Sequence, residues 1–290
     1  MNEELIEQIV QSVLARLEAE DASAAKLSEK APAEQAVEGI PDITQIDLRQ
    51  QYLVDMPKER EAYLALKEQT PARVGVGHAG ARYRTATTLR FQADHAAAQD
   101  AVFNDVPEAF LADMNLASYT TSCESRDEFL TRPDKGRVFA DDTLAEIKKA
   151  VPSNLPVLLY LADGLSSTAV LSNAKDILPV IQNGLKGYDI EVGDPFFVRY
   201  GRVGSMDCLG DALSPDVVCV LLGERPGLVT AQSMSAYIAY RPTANMPESR
   251  RTVVANIHRG GTSPVEAGAF IVDLIRMMLQ KKTSGLDLPI

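Results

Sequence analysis

A chain of 290 residues with 46% apolar content is long enough for one large domain or two smaller ones with real cores. Its net charge of −11 argues against a nucleic-acid partner, which needs a basic face to displace counterions; the acidity is read as solubility. No apolar run approaches the ~18 residues of a membrane span, so no membrane partner is expected. Met1 is followed by Asn2, Glu3 and Glu4 rather than by the basic and then apolar regions of a signal peptide. Cys123, Cys208 and Cys219 are odd in number and lack CxxC spacing, which favours a reducing, cytoplasmic setting without disulfides or a cysteine zinc site.

The first stretch, "MNEELIEQIVQSVLARLEAE", places Leu5, Ile6, Ile9, Val10, Val13, Leu14 and Leu17 on one face of an amphipathic helix over 1–20. Residues 21–41 are rich in Ala, Glu and Ser, lack aromatics, and read as a flexible linker. A helix on so polar a tether suits docking or targeting; folding back onto its own chain is the alternative. Residues 42–150 are expected to be mostly helical. Within them, 42 to about 70 read as helix with Pro57 in a first turn, and "ARVGVGHAGARYRT" reads as a glycine loop. A helix of high propensity follows over Ala86–Val102, then a turn at "TRPDKGR" and a helix from Thr143.

After Val151 the texture changes. "PVLLYLADG", Phe196 to about Val203, "VVCVLLGERPG", "SAYIAY" and "TVVANIH" read as strands. Between and after them lie helices. Ser166 or Ser167 offers an N-cap, and "DILPVIQNGLKG" is closed by glycine. "SPVEAGAFIVDLIRMMLQKK" begins with a Ser263-x-x-Glu266 capping box and Pro264 in the first turn. Strands buried on both faces and alternating with helices predict a Rossmann-like three-layer α/β sheet over 151–290, preceded by the mostly helical N-terminal region. Ligands of such sheets bind beyond the carboxyl ends of the strands. The apolar run Val217–Leu222 stops at Gly223-Glu224-Arg225-Pro226-Gly227, which marks where a ligand should sit.

The remaining motifs are weaker. Gly75-x-Gly77-x-x-Gly80 has the spacing of a dinucleotide loop, but no full strand precedes it and no acid follows at the right distance, so a tight, closely approached turn is the better reading. Asp94 and His95 read as a solvated or interface face of their helix. His78, His95 and His258 show no metal-ligand spacing, and no metal site is expected. Asn256-x-His258-x-x-Gly261 matches, save for its first residue, the Asp-x-His-x-x-Gly in which a histidine ligates the cobalt of a corrinoid. Without the acid that orients the imidazole, a strand-to-helix turn is preferred. No nucleophile–base pair, P-loop or paired acid and base is visible, so no catalytic residue is assigned.

Taken in order, "RVGVGHAGARYRTATTLRFQADHAAAQDAV", "LTRPDKGR", "LADGLSSTAV", "GDPFFVRYGRV", "LLGERPGL" and "NIHRGGTSPVEAGAFIVDLIRMML" resemble the small subunit of ethanolamine ammonia-lyase, over about residues 72 to 285. The resemblance implies an adenosylcobalamin-dependent carbon–nitrogen lyase of ethanolamine catabolism. A large TIM-barrel subunit would hold the substrate, and this chain would cover a cobalamin that keeps its own base on cobalt. It implies a hetero-oligomer of large and small subunits, often housed in a bacterial microcompartment. The resemblance places the family's cobalamin contacts on Val203, Glu224 and Val253; Val253 stands where the family usually has cysteine, so a contact made through the backbone would survive there and one through sulfur would not. Glu224 could accept hydrogen bonds from corrin amides; the alternative is an ion pair with Arg225 or Arg202. A second function class also stays open, a non-catalytic scaffold or cargo adaptor of a microcompartment, suggested by the tethered helix.

Overall fold

The computed structural model describes residues 42–289; the helix expected over 1–20 and the linker expected over 21–41 lie outside them. The chain divides into a unit Met1–Ile46 and a unit from Asp47 onward. In the first, the Asp42 side chain accepts from the Thr44 N–H at 2.9 Å and caps a single 3-10 turn, Ile43–Gln45.

The second unit opens with α1 (Arg60–Glu68), a hairpin of β1 (His78–Ala79) and β2 (Arg82–Tyr83), then α2 (Thr85–Phe103) and α3 (Glu108–Asp113). Next come β3 (Ala117–Thr120), α4 (Arg126–Thr131), α5 (Asp141–Ala150), β4 (Val157–Ala162), α6 (Ser167–Lys186) and β5 (Phe196–Arg199). The chain ends with α7 (Ser205–Leu213), β6 (Val217–Gly223), β7 (Met234–Tyr240), β8 (Thr252–Ile257) and α8 (Pro264–Lys281).

Six strands form one mixed sheet in the order β3-β5-β4-β6-β7-β8. Every side chain of β4 is buried, because successive residues face opposite layers. Val157, Leu159 and Leu161 pack with Ile177, Ile181 and Leu185 of α6 and Ile271, Ile275 and Met278 of α8. Leu158, Tyr160 and Ala162 pack with Ile147 of α5 and Met206, Leu209 and Leu213 of α7. These are the three layers expected of the α/β class. Helix caps follow the sequence signals: the Ser166 hydroxyl accepts from the Ala169 N–H at 3.2 Å, and Ser263 and Glu266 form a reciprocal capping box.

Several elements differ from the sequence reading. Parallel winding covers only β3, β5, β4 and β6; β6, β7 and β8 form an antiparallel meander. No helix separates these last three strands, so each returns beside its predecessor instead of crossing over. Strand β3 falls in the stretch expected to be mostly helical and pairs in parallel with β5. Pro57 lies ahead of α1 rather than in its first turn. Strand β5 ends at Arg199, not near Val203, because Tyr200 takes φ +58°. Asp94 is not solvated: it is 7% exposed, 2.6 Å from Arg73 Nη1 and 2.9 Å from Arg90 Nε.

Candidate functional site

The carboxyl ends of β4, β5 and β6 open onto a cavity of about 720 Å³. Helix α7 covers the centre of its sheet face, but near β7 and β8 that face is left open, with Ser235, Tyr237, Val253 and Ala255 in the cavity wall. Val253 is 45% exposed there. The cavity brings together Val203, half-buried in the turn before α7, Glu224, half-buried at the end of β6, and Val253 on β8.

Tight backbone packing sets this edge. Gly164, at φ +54°, lies against the Gly223 carbonyl, which accepts from the Leu165 N–H at 3.0 Å. A Cβ on Gly223 would collide with the carbonyl oxygens of Ser166 and Asp163, so the residue that lets β6 leave the sheet must be glycine. Asp163 is fully buried beneath the cavity. Its Oδ2 lies 2.8 Å from Arg126 Nη2, and its Oδ1 accepts from the Gly201 N–H at 3.2 Å. Burial pushes the Asp163 carboxyl up, against the pull of Arg126 and the N–H groups of Tyr200 and Gly201. Arg126 also donates to the carbonyls of Gly164 and Asn104, and so ties α4 to the strand ends.

Glu224 has neither arginine as an ion-pair partner among the described residues. Its Oε2 accepts from the Ser233 hydroxyl at 2.6 Å; its Oε1 accepts from the Ser235 hydroxyl and, at 3.2 Å, from the Asn256 N–H. Burial raises its carboxyl, but these donors outweigh burial and hold it below the usual glutamate value. A carboxylate offers about four lone-pair sites, so one acceptor direction remains for a ligand. Arg202 instead donates to the Phe129 carbonyl at 2.6 Å and lies over the Phe129 ring, 4.3 Å from its centroid.

His258 is outside the cavity wall, and both ring nitrogens are engaged. Nδ1 accepts from the Gly260 N–H at 3.1 Å, which leaves the proton on Nε2 to donate to Asn256 Oδ1 at 2.9 Å. The segment is the strand-to-helix turn of the sequence reading, with Gly261 packed against the Asn256 carbonyl. Gly75, Gly77 and Gly80 all have positive φ, and Gly80 heads the two-residue turn of the β1–β2 hairpin rather than a helix. Among the described residues no three His, Cys, Asp or Glu side chains are grouped to hold a metal ion.

Sequence reasoning missed Ser233, Ser235, Tyr237, Phe129 and Arg137 at this edge. One signal was available: in "QSMSAY" the serines are two apart at a strand start, so both face one side. Phe129 and Arg137 come from α4 and the turn after it, far away in sequence, and carried no local mark.

The chain is a three-layer α/β protein with an open cavity at the carboxyl edge of its sheet, the place where ligands of such sheets bind. Residues 60–289 match the family model described as the ethanolamine ammonia-lyase light chain. The ethanolamine ammonia-lyase small subunit of Clostridium tetani is 60% identical over 249 residues, covering 86% of this chain and 84% of that protein. The small subunit of Clostridium perfringens is 51% identical over 98% of this chain and 97% of its own length. That of Listeria monocytogenes is 50% identical over 99% and 100%. The chain belongs to the ethanolamine ammonia-lyase small-subunit family.

Proposed function

We propose that this chain is the small subunit of an adenosylcobalamin-dependent ethanolamine ammonia-lyase, binding cobalamin together with a large TIM-barrel subunit that holds ethanolamine. The product pair is acetaldehyde and ammonia. One observation carries the reading: Val203 in the turn before α7, Glu224 just past β6 and Val253 on β8 line a single cavity. Its volume, about 720 Å³, is that of a pocket for a small ligand. A corrinoid with its nucleotide loop is larger, so this chain would cover one side and the partner the other.

The residues present suit that role. Glu224 is held ionised by Ser233 and Ser235 with one acceptor direction left, which suits an amide N–H of a corrin side chain. Val203 and Val253 offer apolar contact, and Val253 does so without the sulfur usual at its position. Adenosylcobalamin, when bound, supplies the radical chemistry; the chain's own groups position and enclose it. His258, committed to Asn256 and Gly260, would not serve as a cobalt ligand. The setting would be cytoplasmic, within a bacterial microcompartment.

The test is co-expression with a large subunit, purification of the complex, and an ethanolamine deaminase assay with and without adenosylcobalamin. The expected result is activity that needs both chains and the cofactor, and a red chromophore retained by the complex. A complex that neither retains cobalamin nor releases acetaldehyde would reject the reading and favour a scaffold or adaptor.

A further inference from the structure

Three arginines, Arg137, Arg202 and Arg225, stand in the wall of the same cavity, in a chain whose net charge is −11. Among the described residues none of the three has a carboxylate within ion-pair distance. The acids nearby are committed elsewhere. Glu224 is bonded to Ser233 and Ser235, Glu248 is paired with Arg251, and Asp207 lies 2.5 Å from Arg251 Nη2.

Arg202 is the most telling of the three. Its Nη2 donates to the Phe129 carbonyl, yet its Nε is buried without any hydrogen-bond partner. Its guanidinium thus keeps donor capacity that the chain itself does not use. Burial lowers the Arg202 guanidinium; Cys123 works against that, and the charge of Arg137 adds to it, so the field of a second cation reaches Arg202. Placing like charges together at a wall is unfavourable unless an anion completes the site.

We infer that this arginine rim binds a phosphate group: the phosphodiester of the cofactor's nucleotide loop, or free inorganic phosphate. Planar guanidinium forks match phosphate oxygens in geometry as well as in charge. On the cofactor, the rim would hold the nucleotide tail while Glu224, in the same cavity wall, meets the corrin amides. The assignment to the cofactor rests on the function proposed above; the anion site itself does not.

The experiment uses the full chain in complex with the large subunit. Adenosylcobalamin and adenosylcobinamide, which lacks the phosphate and the base, are titrated separately by absorbance against wild type, Arg225→Met, Arg137→Met and Arg202→Lys. Arg225 and Arg137 are exposed, so their replacement leaves the fold intact if Arg202 variants prove unstable. The expected result is a roughly ten- to hundred-fold loss of cobalamin affinity in the methionine variants, as removal of a charged hydrogen bond implies. Cobinamide affinity should stay unchanged, and Arg202→Lys should keep part of the cobalamin preference.

In a second arm, inorganic phosphate is titrated by calorimetry into the cofactor-free complex. Phosphate binding that the methionine variants abolish, with cobalamin affinity unchanged, would keep the anion site and overturn its assignment to the cofactor. No change in either arm would overturn the inference altogether. A wild-type complex that binds no cobalamin defeats the proposed function instead, and the phosphate arm then decides the rim alone.

Discussion

Glu224 holds a carboxylate at the mouth of the cavity through three donors of its own chain, which distinguishes it from a surface ion pair worth about 0–1 kcal/mol. If its remaining acceptor direction meets a corrin amide, Glu224→Ala leaves that donor unpaired at a cost of about 1–3 kcal/mol. Titration of the complex with adenosylcobalamin should then show a roughly ten- to hundred-fold weaker dissociation constant, with subunit assembly intact. An unchanged constant would remove Glu224 from the site. The sign of its pH dependence follows from a folded pKa held below the ordinary glutamate value. Such a group contributes its stability above the ordinary value and loses it as pH falls through the depressed one. Melting temperatures of wild type and Glu224→Gln should therefore differ near neutrality and converge on acidification below about pH 4. Convergence as the pH rises instead would mean the sign is wrong. His258 gives the opposite expectation. Its nitrogens bond Asn256 and Gly260, so His258→Ala should bind cobalamin as wild type does. Electron paramagnetic resonance of the cob(II)alamin form with labelled protein nitrogen checks this, and hyperfine splitting from a protein imidazole would contradict it.

Helix α4 is anchored in part by one buried pair. Arg126 reaches Asp163 across the strand ends, and Asp163 is fully buried. Arg126→Met would leave that carboxyl without its cation. The expected loss is about 3–5 kcal/mol of unfolding free energy, read from the denaturant midpoint of the full chain. The double variant with Asp163→Asn should lose less than the sum of the two single changes; strict additivity would mean the pair is not coupled. This contact also explains what the sequence could and could not reveal. Strands β4 and β6 were legible because they are unbroken apolar runs, and α8 because its cap, proline and periodicity agree. Strand β3 was not, since "ASYT" is short, half-exposed and lies at the sheet edge. The direction of β7 and β8 was not legible either, because strand patterning fixes the faces of a strand and not its sense. Asp94 was misread for a related reason: helix periodicity cannot foresee Arg73, which arrives from another segment to bury it.

The described residues present a covered core and an open edge, with Glu224, its neighbour Arg225 and the Arg202–Val203 turn legible at that edge and Arg137 brought to it only by the fold. In the cavity the Ser235 hydroxyl is spent on holding the Glu224 carboxylate, and the substrate is proposed to sit in the large subunit, so this chain alone should turn over no ethanolamine even with adenosylcobalamin. Acetaldehyde release by this chain alone, followed in a coupled assay, would overturn the division of labour. The N-terminal residues pose the last question. As a helix, residues 1–20 would carry an apolar stripe, and 21–41 have a polar composition poor in aromatics. Among the described residues, the buried apolar side chains lie from Ala98 onward. Deleting residues 1–40 should therefore leave the melting temperature of the body and the deaminase activity of the complex unchanged. If the stripe docks on a protein shell, the same deletion should abolish delivery of a fused fluorescent reporter to shells purified from cells. The two readouts separate the possibilities: a deletion that lowers the melting temperature or the activity makes the segment structural, and a reporter still found in shells removes the targeting role.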